Sequence, residues 1–370
     1  MADGNLPRAE VVVDLGAVRH NVSLLVARAG ASGAATMAVV KADGYGHGAV
    51  PVARAAVEAG AAWLGVCSLG EALALRDAGI DVPVLSWLDT IDTDFAPGVA
   101  AGIDLSVSSS RELGAIVEGA RAAGARARVH LKIDTGLSRN GCPPNEWAEL
   151  VAAAAGAPEV ELVGVWSHLA CADEPGHPSV DLQARRFREA CAAAGTPVRH
   201  LANSAATLDR PDLHFDLVRV GIAMYGLNPL PYAQDLRPAM TFRSSVALTK
   251  RIAAGESVSY GQTWTADRDT NLALVPVGYA DGVPRLLSGR MDVLLAGRRR
   301  PVVGRVCMDQ LVVDCGDDRV PVGEEVVLFG DGTRGEPTAT EWANTIGTID
   351  YEIVTGMYRP RIVRTYRDAR

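Results

Sequence analysis

What most limits the fold of this chain is a rhythm. Between residues 37 and 220, short apolar runs alternate with helix-length segments that carry one apolar face. The runs begin at Met37, Trp63, Val82, Ile103, Ala127, Val160, Val198 and Phe215. Short runs rich in Val, Leu and Ile read as strands buried on both faces. The segments near 16–29, 49–59, 70–77, 111–123, 145–155 and 181–194 read as helices; in the first, Val18, Val22 and Leu25 share one side and Asp14 stands as its cap. Strands and helices in alternation specify a parallel sheet. Eight such units are the number in a (β/α)8 TIM barrel of roughly 250 residues. A doubly wound open sheet competes, but no GxGxxG turn opens the first helix. The expected α/β architecture is therefore a (β/α)8 barrel over residues 1–237.

After Pro238 the rhythm stops. Short β-rich runs at 244–249, 272–277, 291–295, 302–306, 311–313 and 326–329 are separated by Gly, Asp and Pro. A helix-length pattern returns only at 338–346. Residues 238–370 thus read as a C-terminal mainly-β domain of ordinary size.

In a barrel, chemistry collects where strands end. The polar residues at those ends are Lys41, Lys132 with Asp134, His168, Asn203 with Ser204, and Arg219. A lone lysine at a strand end commonly snorkels to solvent. Here composition argues otherwise. Lys and Arg together number 36, yet lysine occurs only at Lys41, Lys132 and Lys250. Arginine supplies the rest of the positive charge, so solubility does not account for Lys41 or Lys132. Lys41 closes the run Met37–Val40 and precedes a loop with glycine at every second position, an open cup around an amine. Such an amine forms a Schiff base with a carbonyl.

If the carbonyl belongs to a cofactor, pyridoxal 5'-phosphate is the candidate, and it needs two more sites. Ser204 and the Gly221-Ile222 pair follow the last two strands, where barrel phosphate sites commonly lie. Arg219 is the candidate partner of the pyridine nitrogen. Arginine only donates, so the ring nitrogen would stay unprotonated and the cofactor would be a weaker electron sink, which suppresses transamination.

A net charge of -8 argues against nucleic acid or an anionic membrane as the main partner. No apolar stretch reaches spanning length, and the start MADGNLPRAEVVVDL lacks a secretory pattern. Six cysteines without a CxxC pair read as reduced thiols of a cytoplasmic protein, and neither they nor the seven histidines form a zinc-type cluster, so no metal is expected.

The motifs VKADGYGHG (40–48), LKIDTGLSRNG (131–141), HLANSAA (200–206), RVGIAMYG (219–226), VSYGQTW (258–264), VGYADGVPR (277–285), GRVCMDQ (304–310) and GMYRPR (356–361) are collinear, and the chain that carries them resembles the alanine racemases along its whole length. The resemblance implies a pyridoxal-phosphate-dependent barrel with a C-terminal β domain, a homodimer sharing its active sites, and a supply of D-alanine for peptidoglycan. It implies that Lys41 binds the cofactor covalently and serves as base towards the D-enantiomer. Tyr260, from the partner subunit, would be the base towards the L-enantiomer. Arg219 matches the donor to the pyridine nitrogen, and Tyr45, Ser204, Gly221, Ile222 and Tyr358 match phosphate-binding positions. Arg139 and the Met308 backbone amide match the groups near the substrate carboxylate. His168 matches the link from the tyrosine to the arginine, and His200 that arginine's further partner. Lys132 matches a lysine carbamylated in many members, whose negative charge would steady Arg139. Tyr279 matches a tyrosine on the approach to the site, and Asp309 a supporting residue.

Two bases suit the reaction, because inverting a carbon centre removes a proton from one face and returns one to the other. Tyrosine, with an ordinary pKa near 10, needs a positive neighbour to act at neutral pH; Arg219 acting through His168 is the expected one. Three tyrosines at the site, Tyr260, Tyr279 and Tyr358, would leave room for little beyond a methyl, so alanine is the expected substrate and serine a slow second. A barrel amino-acid decarboxylase and a non-catalytic cofactor carrier are the competing readings; the C-terminal motifs weigh against both.

Overall fold

The computed structural model describes residues 7–195 and 198–368, and these divide into two compact units. One comprises the described residues within 18–44 and 48–236; the other joins residues 7–17, 45–47 and 237–368.

The chain opens with β1 (Glu10–Asp14), and eight strands follow in the first unit: β2 (Ala35–Val39), β3 (Trp63–Val66), β4 (Val84–Ser86), β5 (Asp104–Val107), β6 (Ala127–Lys132), β7 (Val160–Trp166), β8 (Val198–His200) and β9 (Leu217–Val220). They pair in parallel in the order β8-β7-β6-β5-β4-β3-β2-β9. Met37 lies opposite Trp63 and Val218 opposite Thr36. The circle closes through hydrogen bonds from Asp216 N–H to Arg199 O (3.0 Å) and from Arg219 N–H to Ala202 O (2.9 Å). The expected barrel is therefore present, and its strands start within two residues of the positions read from the sequence. Helices lie between strands, as the apolar faces require: Val18, Val22 and Leu25 of Leu15–Gly30 are fully buried, and Asp14 accepts from Ala17 N–H at 3.0 Å as its cap. Helix Leu69–Asp77 opens with a capping box between Ser68 and Glu71.

The barrel interior holds an apolar cluster and a set of buried polar groups in contact with it. Met37, Leu85 and Leu217 form an apolar cluster with Trp63, Trp87 and Val198. Gly65 is required beside it, since a Cβ there would stand 2.5 Å from the Trp87 ring and 2.8 Å from Met37 Sδ. Against it, His130 meets the Trp63 ring edge-on at 5.4 Å, and Asp104, His130, His200 and Arg219 are buried polar groups.

The second unit is built on a nine-stranded sheet of order β11-β14-β17-β16-β15-β18-β10-β1-β19. Its strands are β1, β10 (Met240–Ser245), β11 (Leu248–Ile252), β14 (Thr270–Val275), β15 (Asp292–Leu295), β16 (Arg298–Val303), β17 (Leu311–Gly316), β18 (Glu325–Phe329) and β19 (Val363–Arg367). A two-stranded ribbon, β12 (Ser257–Val258) and β13 (Trp264–Thr265), precedes Thr270. The run 244–249 is not one strand; it breaks at Val246-Ala247 and supplies the end of β10 and the start of β11. No single cut near residue 237 divides the units, because β1 pairs antiparallel with β10 and parallel with β19. Side chains lock it there: Glu10 accepts from Arg243 (2.7 Å) and Thr365 (2.7 Å), and Asp14 from Arg367 (3.0 Å). Among the described residues, no helix is long and apolar enough to cross a membrane.

Candidate active site

Lys41 stands just past β2, at the carboxyl end of the barrel strands. The chain then does something rare. Ala42, Asp43, Gly44 and Tyr45 all take left-handed backbone angles, with φ between 50° and 61°. Left-handed geometry costs about 1–2 kcal/mol per non-glycine residue, so the turn has to be held. Asp43 holds one end by accepting from Ala49 N–H (2.8 Å). Glu71 holds the other: one carboxylate oxygen accepts from Ala42 N–H (2.7 Å), the other from Cys67 (2.8 Å) and Ser68 (3.3 Å). The carboxylate that caps a helix thereby fixes the residue next to Lys41.

Two tryptophans, Trp87 and Trp166, pack at 5.9 Å and form an aromatic floor. Lys41 Nζ lies 5.9 Å from the Trp87 ring centre, Lys132 Nζ 4.1 Å from that of Trp166, and the Arg219 guanidinium 4.9 Å from it. Lys41 is only half-buried, whereas Lys132 is 3% exposed. Lys132, the last residue of β6, is thus the more deeply buried of the two lysines. Burial, with Arg219 and Arg139 adding to it, pulls its pKa down to about 7. Lys132 donates to Asn140 Oδ1. Arg139 is exposed on the loop after β6, which Asp134 shapes by accepting from Gly136 (2.9 Å) and Ser138 (3.1 Å).

Arg219 is the best-connected cation in this unit. Nη1 donates to His200 O (2.8 Å) and faces His200 Nδ1 (3.3 Å). Nη2 donates to Ser167 O (2.7 Å) and Leu201 O (3.1 Å) and faces His168 Nδ1 (3.2 Å). Of the Arg219 donors, Nε–H is the one left without a hydrogen-bond partner among the described residues. Burial pulls the Arg219 pKa down to about 9, which still leaves it charged at neutral pH. Burial and then Arg219 push the His168 pKa well below its ordinary value, so this imidazole is neutral. Its Nδ1 accepts a hydrogen bond from Arg219, hence Nε2 carries the hydrogen.

After β8 and β9 come the backbone donors. Ser204 opens a short helix, Ser204–Asp209, and its buried hydroxyl oxygen accepts from Gly221 N–H (2.9 Å) and Ala223 N–H (3.4 Å), which leaves the hydroxyl proton to donate. Ile222 is the first residue of the 3-10 turn Ile222–Tyr225, so its N–H has no acceptor within that turn.

The barrel unit thus brings together Lys41, Lys132, Arg139, His168, His200, Ser204, Arg219, Gly221 and Ile222. Tyr45, Tyr260, Tyr279, Met308, Asp309 and Tyr358 belong to the other unit. Tyr45 is buried with its ring 5.9 Å from Tyr351, and burial raises its phenol pKa strongly. Tyr260 is 72% exposed, and Tyr279, Met308 and Tyr358 are exposed too. Tyr260 follows Ser259, whose φ of 65° and ψ of −176° are normally a glycine's; the Ser259 hydroxyl donates to Arg305 O at 2.7 Å. Asp309 pairs with Arg361 (2.6 Å), and buried Asp281 with Arg8 (3.0 Å) and Arg361 (3.4 Å).

Sequence reading missed Glu71, Trp87, Trp166 and Asn140. Only Glu71 had a local signal, the Ser68-x-x-Glu71 capping pattern.

Comparison with known proteins places these features in context. Residues 13–229 match the family model "Alanine racemase, N-terminal domain", and residues 239–366 match "Alanine racemase, C-terminal domain". The chain is 57% identical over 368 residues to the alanine racemase of Salinispora tropica, covering 97% of this chain and 98% of that one. It is 55% identical over 373 residues to that of Mycobacterium avium, covering 98% and 95%. The crystal structure of alanine racemase from a D-cycloserine-producing Streptomyces lavendulae superposes with a TM-score of 0.95 at 51% identity, covering 98% of each chain.

Proposed function

The chain belongs to the alanine racemase family, and from that premise we propose that it interconverts L- and D-alanine with pyridoxal 5'-phosphate held at the mouth of the barrel. The residues fit that cofactor. Lys41 supplies the amine for its carbonyl, and Arg219 Nε–H a single charged donor for its ring nitrogen. Ser204 supplies a hydroxyl proton and Ile222 a backbone N–H for its phosphate, with Gly221, Tyr45 and Tyr358 as the further phosphate ligands the family pattern implies. When bound, the cofactor withdraws electrons from the amino acid and so acidifies its Cα–H. The observation that carries the reading is the unclaimed Nε–H of Arg219 beside four donors already engaged.

The protein's own part is to move one proton between two faces. Lys41 takes or returns it on the side of the D-enantiomer. Tyr260 of a second copy serves the L side, and His168 Nε2–H, on a ring kept neutral by burial and then by Arg219, is the donor that stabilises its phenolate. Arg139 and the Met308 amide orient the substrate carboxylate, with Tyr279 and Asp309 supporting the approach. Lys132 is neutral in part near pH 7 and so is a nucleophile for carbon dioxide; the carbamate would place a negative charge beside Arg139. The enzyme works as a cytoplasmic homodimer and supplies D-alanine for peptidoglycan.

The test is optical. Purified protein incubated with the cofactor should turn yellow and racemise either enantiomer, and borohydride should fix the label on the peptide containing Lys41. A colourless protein that leaves optically pure alanine unchanged refutes the proposal.

A further inference from the structure

Four buried side chains form a column across the barrel interior. Asp104 begins β5, His130 lies on β6, His200 ends β8 and Arg219 lies on β9. Asp104 Oδ2 is 3.4 Å from His130 Nε2, His130 Nδ1 is 2.9 Å from His200 Nε2, and His200 Nδ1 is 3.3 Å from Arg219 Nη1. At the far end Arg128 Nε donates to Asp104 Oδ1 at 2.6 Å.

Hydrogen-bond chemistry gives this column a single consistent direction. A guanidinium only donates, so His200 Nδ1 accepts. His200 is neutral, since burial, with His130 and Arg219 adding to it, pushes its pKa well below the ordinary value. Its hydrogen therefore sits on Nε2 and goes to His130 Nδ1. His130 then carries its own hydrogen on Nε2 and gives it to Asp104, a carboxylate that accepts at both oxygens. A doubly protonated His130 would set its Nδ1–H against the Nε2–H of His200, so it is excluded. The column has been given room: a Cβ on Gly164 would stand 2.6 Å from His130 Nδ1 and 2.8 Å from Val198 O. The other hydrogen-bond partners of Arg219 are carbonyls and His168, and among the described residues it pairs with no carboxylate. Asp104 answers its charge at two removes.

We propose that Asp104 and His130 are positioning residues for Arg219: they fix the tautomer of His200, which holds Nη1 and so keeps Nε–H free for the cofactor's ring nitrogen. The inference rests on the assignment of Arg219 made above. Disturbing the column should let the ring nitrogen gain a proton, and with it the transaminating side reaction that Arg219 suppresses.

The test uses the holoenzyme with 15N-labelled histidine and long-range 1H–15N correlation. His130 and His200 should both be neutral with hydrogen on Nε2; hydrogen on Nδ1 of either ring overturns the proposal without any variant. In Asp104→Asn the amide oxygen should stay with Arg128 and the NH2 face His130. That reverses His130 and then His200, setting a donor against Arg219. Pyruvate released per racemisation should then rise about tenfold, the scale of one hydrogen bond to a charged group. Unchanged tautomers, or reversed tautomers with an unchanged ratio, overturn it. Failure of the assignment itself looks different, as a protein that takes up no cofactor.

Discussion

At the scale of single residues, the site is a crowd of cations kept in unequal states. Lys132 is the clearest case, because burial with Arg219 and Arg139 beside it holds its pKa near 7. A depressed lysine pKa means that folding disfavours the charged form. The penalty is complete below pH 7 and fades as pH rises towards the unfolded value of about 10.4. Lys132→Met should therefore be stabilised relative to the parent at pH 6, and the gap in melting temperature should shrink by pH 9.5. A gap independent of pH would remove the charge from the explanation. The positions of Lys41, Lys132 and Arg219 were legible because each ends a strand-like run in a lysine-poor chain. The depressed pKa of Lys132 was not, since it depends on burial in the folded barrel and on Arg219, distant in sequence.

Among the elements, the left-handed turn after Lys41 is the one that local pattern could not foretell. Glycine at alternate positions announced a loop, but Ala42 and Tyr45 carry side chains that resist this hand. The conformation is imposed from outside, and Glu71 is the means. Glu71→Gln keeps the length but turns one carboxylate oxygen into a donor facing backbone N–H groups. Loss of such bonds costs about 1–3 kcal/mol, so racemisation should fall roughly tenfold with a matching drop in stability. A variant that is less stable yet fully active would show that the turn does not aim Lys41. The barrel strands, by contrast, were legible to within two residues, because parallel strands buried on both faces write themselves as continuous apolar runs.

For the whole molecule, the proposed sharing of sites gives a sharp expectation. Lys41→Ala should be inactive, and Tyr260→Phe should lose proton abstraction from L-alanine first. Mixing the two after subunit exchange should restore about a quarter of the parental activity, because half of the dimers pair unlike chains and each then holds one intact site in two. No recovery after proven exchange would refute a shared site. The resemblance supplied Tyr260; nothing local to VSYGQTW marks it as more than an exposed aromatic residue.

One feature of the fold bears on how the protein is made. Strand β1 sits between β10 and β19, so a strand at Glu10–Asp14 cannot complete its sheet until Val363–Arg367 has been synthesised. Most barrel strands neighbour one another in order of translation, and the wait there is for β9, which pairs with β2. A fragment carrying residues 238–370 should be poorly folded when expressed alone and should recover protease resistance when a peptide spanning residues 7–15 is added. The amino terminus is in this sense a late component, held in reserve for the opposite end of its own chain.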